Sequence, residues 1–104
     1  MMSDSNTTSQ PSLWISAGLK VSENKSAEHA KKELNVLQRQ TIKEKGCIFF
    51  DVLQHRDDPI LFTLWEEWID EAALKEHFNQ VHTKDYLAQS LTEVTYIEKL
   101  VKLT

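Results

Sequence analysis

His77 and His82 are the side chains here best suited to moving protons near neutral pH, because an unperturbed imidazole titrates in that range. Ala73, Leu74, Phe78 and Val81 recur around His77 at three- and four-residue steps and share a helix face with it. An imidazole on such a face is either a core histidine bonded to backbone or a general base turned into a hollow. Glu66 and Trp68 lie upstream, at the end of the apolar run Ile60 to Trp68. In a regular strand, Glu66 shares a face with Phe62, Leu64 and Trp68. A carboxylate there either pairs with a cation or has a raised pKa, which is one route to a base; the bland alternative is a frayed strand end in water. Trp68 is either plain core or the wall on which a flat aromatic ligand stacks.

The candidate acid/base residues are therefore His77, Glu66 and His82, and the candidate ligand-binding residues are Trp68, Phe50, Phe62, Asn79 and Tyr86. The separation of His77 and His82 is not the i, i+4 helical pair, and no cysteine or third histidine supports them, so no metal site is expected. Cys47 reads as a small core residue, with no neighbouring histidine or lysine to activate it.

Residues 1–12 form a polar stretch, expected to be a disordered tail, with neither the basic nor the apolar part of a signal peptide. Leu13 to Val21 alternates with period two, a strand whose Gly18 marks a bulge or a close backbone approach. Ser26 is placed to cap a helix with Ala27, Ala30, Leu34, Leu37 and Thr41 inward, and Gly46 is expected to end it in the left-handed conformation. Cys47 to Gln54 and Ile60 to Trp68 form a hairpin across the turn at His55 to Pro59. Asp70 caps the helix carrying His77, which runs to about Val81. A shorter helix from Thr83 turns Tyr86, Leu87 and Leu91 inward, and Val94 to Leu103 is the last strand.

Strand, helix, strand, strand, helix, strand is the split β-α-β, ferredoxin-like arrangement of the α+β class: a four-stranded antiparallel sheet with helices on one face, occupying residues 13–104. The other face should be polar, yet Leu61 and Trp65, Phe49 and Leu53, and a set of residues on the last strand leave it apolar. The simplest cover is a second copy in a twofold homodimer. The net charge of −4 gives no basic footprint for nucleic acid. No apolar run approaches the roughly 20 residues a membrane span needs, and a single cysteine fits a reducing, cytoplasmic location.

Glu44-Lys45-Gly46-Cys47, Phe50 and Val52, Asp58-Pro59, Glu66-Glu67-Trp68, Ala73-Leu74, His77 and His82 together resemble the antibiotic biosynthesis monooxygenase (ABM) domain. The resemblance covers essentially residues 13 to 104. It implies a homodimeric α+β barrel and a ligand cavity faced by the position of His77. It also implies, in some members, oxidation of quinols or polyketide phenols by molecular oxygen with no metal or flavin, hence no cofactor. Another branch degrades haem with an asparagine on the first strand, and Leu13 to Val21 holds none. A third acts on a phosphorylated autoinducer-2 sugar product.

The leading expectation is a cofactor-independent monooxygenase for a small quinol-like or polyketide-like aromatic. One alternative is an isomerase or degradative enzyme for a phosphorylated signalling sugar, which needs a pocket cation. Arg39 and Arg56 lie on no inward stripe, leaving lysines such as Lys20. The other is a non-enzymatic dimeric module that binds a small apolar ligand.

Overall fold

The computed structural model describes residues 11–104. The elements are β1 (Leu13–Val21), α1 (Ala27–Thr41), β2 (Cys47–Gln54), β3 (Leu61–Trp68), α2 (Glu71–His77), α3 (Val81–Ala88) and β4 (Thr92–Leu100). The strands form a 4-stranded antiparallel sheet in the order β2-β3-β1-β4, as the split β-α-β reading requires. Of the expected disordered tail, residues 1–10 lie outside the described residues. Ser12 is tied down, its hydroxyl donating to Glu67 Oε2 at 2.6 Å.

Local chemistry accounts for the helix starts. Ser26 Oγ accepts from the His29 N–H, and Asp70 Oδ1 accepts from the Ala73 N–H, each satisfying a donor the first helical turn leaves free. Ala30, Leu34, Leu37 and Thr41 of α1 pack on Ile15, Ala17, Leu19, Phe50, Phe62 and Trp68 of the sheet. Glu66 is buried on this same face, as strand alternation demands.

Several details depart from the sequence reading. Gly46 does not take a left-handed conformation, since neither glycine has positive φ. α1 closes instead through consecutive turns, with Ile42 N–H to Gln38 O and Glu44 N–H to Thr41 O. Glycine is needed at 46 for space: a Cβ there would lie 2.3 Å from Ala73 Cβ on α2. Gly18 serves both suggested roles, because the β1–β4 register shifts beside it and an added Cβ would meet the Tyr96 ring at 2.4 Å.

That shift also changes the faces of β4. Val94 and Ile97 pair with Leu19 and Ala17 on the helix side, while Tyr96 pairs with Gly18 on the outer side. Val94 and Tyr96 thus do not share a face, as unbroken alternation would have it. The expected long helix from Asp70 is two helices, broken at 78–80 by turns such as Gln80 N–H to His77 O. Past the break Val81 leaves the inward stripe and is exposed, whereas Phe78 and Leu87, about half exposed, still turn a side toward the cavity beneath α2 and α3. β4 ends at Leu100, short of Leu103.

The outer face of the sheet is apolar, as expected. Trp14 lies between Phe49 and Trp65, with ring centroids 6.3 and 5.8 Å away. Phe49, Leu53, Trp65 and Tyr96 are exposed there.

Candidate active site

Between α2, α3 and the sheet lies a cavity of about 330 Å³. Its walls are mostly apolar, with Ile15, Leu19, Phe50, Leu74 and Ile97 among them, and His77, Glu66, Thr83 and Tyr86 add polar atoms. Lys75, Glu71 and Lys99 also line it, and Lys99 Nζ donates to Glu71 Oε2 at 2.7 Å.

His77 is the last residue of α2 and is buried. Trp68 packs on its ring at 4.9 Å and Phe50 at 5.8 Å. Its Nδ1 lies 2.7 Å from Glu44 Oε2 and 3.3 Å from Thr83 Oγ1. An ionised carboxylate only accepts, so Nδ1 carries the proton and Nε2 keeps its lone pair. Among the described residues Nε2 has no hydrogen-bond partner, which leaves it available to a ligand. Burial pushes the His77 pKa below its ordinary 6.5, against the pull of Glu44, so the ring is neutral at pH 7 and its free nitrogen can accept a proton.

Glu66 enters the cavity from β3. Its Oε1 accepts from the indole N–H of Trp68 at 2.8 Å. Burial raises its pKa to about 7, although the indole bond works the other way and the nearby Glu44 adds to the rise. A neutral imidazole and a carboxyl whose pKa is raised toward neutrality thus line one apolar cavity, an arrangement that can take a proton from a bound hydroxyl and return one.

The candidate residues divide in placement. His77, Glu66, Phe50 and Tyr86 line the cavity. Trp68 and Phe62 do not: both are buried beneath it, and Trp68 acts on the wall from behind through His77 and Glu66. Asn79 lies in the exposed turn after α2 and is no wall residue. Lys20 is exposed and, like Arg39 and Arg56, lines no part of the cavity.

His82 also lies outside it, in a separate groove with Glu33, Gln40, Asp85 and Gln89. From there Nε2 reaches Glu44 Oε2 at 2.6 Å. Glu44 is the residue the spacing argument missed. It sits in the turns after α1, where its N–H bonds Thr41 O and its carbonyl accepts from Cys47 N–H, far in sequence from both histidines. The available signal was its place in the run Glu44-Lys45-Gly46-Cys47, two residues before the glycine.

Together Glu44, His77 and His82 place donor atoms within 4.8 Å of one another, a cluster the local spacing gave no hint of. The contacts at 2.6 and 2.7 Å converge on one carboxylate oxygen and are hydrogen-bond lengths. The Cys47 thiol is half-buried and pushed up to about 11, by burial first and then by Glu44, which leaves it unreactive.

The family model described as antibiotic biosynthesis monooxygenase matches residues 15–89. The Bacillus subtilis (strain 168) protein YjcS, itself uncharacterized, is 38% identical over 86 residues, covering 83% of this chain and 82% of its own. The crystal structure of PA3566 from Pseudomonas aeruginosa superposes with a TM-score of 0.84 at 30% identity, covering 94% of this chain and 100% of that one. SnoaB from Streptomyces nogalater, a cofactor-independent oxygenase, shares the fold at a TM-score of 0.76 and 10% identity, covering 91% of this chain and 96% of its own. Among the described residues no helix is long and apolar enough to cross a membrane. Sequence and fold together make this chain a member of the antibiotic biosynthesis monooxygenase family.

Proposed function

We propose that the chain is a cofactor-independent monooxygenase that oxidises a small quinol-like or polyketide-like aromatic with molecular oxygen. The observation that carries the reading is the neutral His77, whose unpartnered Nε2 belongs to a wall residue of an apolar cavity of about 330 Å³. A cavity of that size suits one or two fused rings. His77 Nε2 takes the phenolic proton, and the electron-rich phenolate passes one electron to oxygen. The radical pair joins at a ring carbon as a peroxide, which is protonated by the imidazolium or by Glu66. Loss of water then gives the quinone, so one phenol and one O₂ become one quinone and one H₂O with every proton returned. Family membership and the fold shared with SnoaB support the reaction type.

The protein acts as a homodimer joined through the outer sheet face. Trp14 Nε1 is buried there with no hydrogen-bond partner among the described residues, and Phe49, Trp65 and Tyr96 are left uncovered. Oxygen uptake with a panel of hydroquinones and naphthols tests the activity. Consumption should exceed that of His77→Ala at least tenfold; equal rates would reject the monooxygenase and leave a ligand-binding module.

Lys75 and Lys99 favour a second reading, in which an anionic substrate such as a phosphorylated sugar is held beside them. The largely apolar wall and the pairing of Lys99 with Glu71 weigh against it.

A further inference from the structure

Glu44 is a buried carboxylate, 7% exposed at its side chain, and among the described residues its side-chain partners are two imidazoles, with neither a lysine nor an arginine. Both imidazoles use the same oxygen, Oε2, from opposite sides of a wall. His77 belongs to the cavity and His82 to the groove between α1 and α3. A buried anion without a fixed cation needs positive charge from its hydrogen-bond donors, and among the described residues only the two rings supply donors.

We propose that Glu44 is the positioning residue of His77, and that His82 competes for the same carboxylate oxygen and so couples the state of the groove to the cavity. This deepens the reading of His77 as the base. Glu44 holds the proton on Nδ1 and thereby turns the lone pair of Nε2 to the ligand, the role an orienting carboxylate plays behind any catalytic imidazole. His82 Nε2, 2.6 Å from the same Oε2, takes a share of the carboxylate's field that His77 would otherwise have to itself. His77 then loses support for its own cation and becomes the weaker base. The pull of Glu44 on His77 upward and of His82 downward accords with this division.

The other ionisable groups facing the pair do not replace it. Glu66 lies on the sheet wall, bonded to Trp68, while Tyr86 bonds Thr92 Oγ1 and Cys47 holds its proton. Glu71, Lys75 and Lys99 line the same cavity. Glu33 and Asp85 line the groove beside His82.

Nitrogen-15 imidazole spectra of the full chain, titrated between pH 5 and 9 without substrate, test the arrangement. In the unsubstituted protein His77 should show the Nδ1–H form. Glu44→Gln should mix the two tautomers and lower the His77 midpoint. His82→Gln, on the more exposed side, should raise it by about half a unit or more, a change that loss of packing alone would not produce. An Nε2–H form of His77, or a midpoint unmoved in His82→Gln with an intact amide spectrum, would overturn the proposal. So would a stoichiometric transition metal found on the purified protein and lost in Glu44→Gln. Because no substrate is used, inactivity toward every phenol would end the monooxygenase reading while leaving these spectra as they are. Turnover by a protein whose tautomers ignore Glu44 would do the reverse.

Discussion

Trp68 donates its indole N–H to Glu66 Oε1 at 2.8 Å, and among the described residues this bond alone supports a carboxyl that strand alternation has driven into an apolar interior. The bond is too weak to offset burial: the pKa of Glu66 rises to about 7 despite it. The pairing keeps a proton reservoir beside the cavity and fixes the indole whose ring backs His77.

Stability should register that reservoir. The folded protein binds the Glu66 proton more tightly than the unfolded chain, so between pH 4.5 and about 7 Glu66 makes stability fall as pH rises, and the loss is complete above. Glu66→Gln should remove this slope and gain on the order of 3 kcal/mol over the unsubstituted protein at pH 8, compared with the same difference at pH 4.5. His77, with its lowered pKa, contributes an opposite slope below 6.5 that both proteins share. Urea denaturation at several pH values measures the difference; parallel curves would show that Glu66 is ordinary.

Turnover should have two limbs. The acid limb reports His77 and should lie below 6.5, since burial favours the neutral ring. If Glu66 supplies the proton to the peroxide, an alkaline limb near pH 7 accompanies it and vanishes in Glu66→Gln. Profiles of kcat/KM for an accepted phenol, taken with both proteins, check this. A single limb unchanged by the substitution would confine proton transfer to His77.

The sheet and the helix caps were legible because they depend on local rules: alternation placed Glu66 on the core face, and Asp70 announced α2. What was not legible depended on long-range placement. Glu44 meets its histidines only because the chain folds back across intervals of 33 and 38 residues. Trp68 was expected as a cavity wall, and sequence alternation cannot tell the surface of a core from the layer beneath it. The helix break after His77 has neither proline nor glycine to mark it, so the apolar stripe was carried on to Val81, which is exposed.

Gly46 separates two explanations for a glycine just past a helix, backbone freedom and space, and only the second fits its φ. Gly46→Ala would bring a methyl within 2.3 Å of Ala73 Cβ and force α2 away from the β2 start. Overpacking of this kind should cost about 1–3 kcal/mol, read by urea denaturation. Gly46→Ala combined with Ala73→Gly should recover most of it, because the second change vacates the contested volume. Failure of the pair to recover stability would return the argument to backbone conformation.

The outer sheet face carries the strongest expectation about assembly. Trp14 packs between Phe49 and Trp65 while its Nε1 is buried with no acceptor among the described residues, and a desolvated donor of this kind costs about 1–3 kcal/mol unless a partner chain supplies an oxygen. A second copy related by a twofold axis would present the same rings and meet that need on both sides. Sedimentation equilibrium should give twice the 12.1 kDa chain mass. Trp65→Glu places a charge at the centre of the face and should shift the protein to monomer, by a factor of at least 100 in the dissociation constant, with its secondary structure kept. A monomer at tens of micromolar in the unsubstituted protein would mean that some other partner covers these rings.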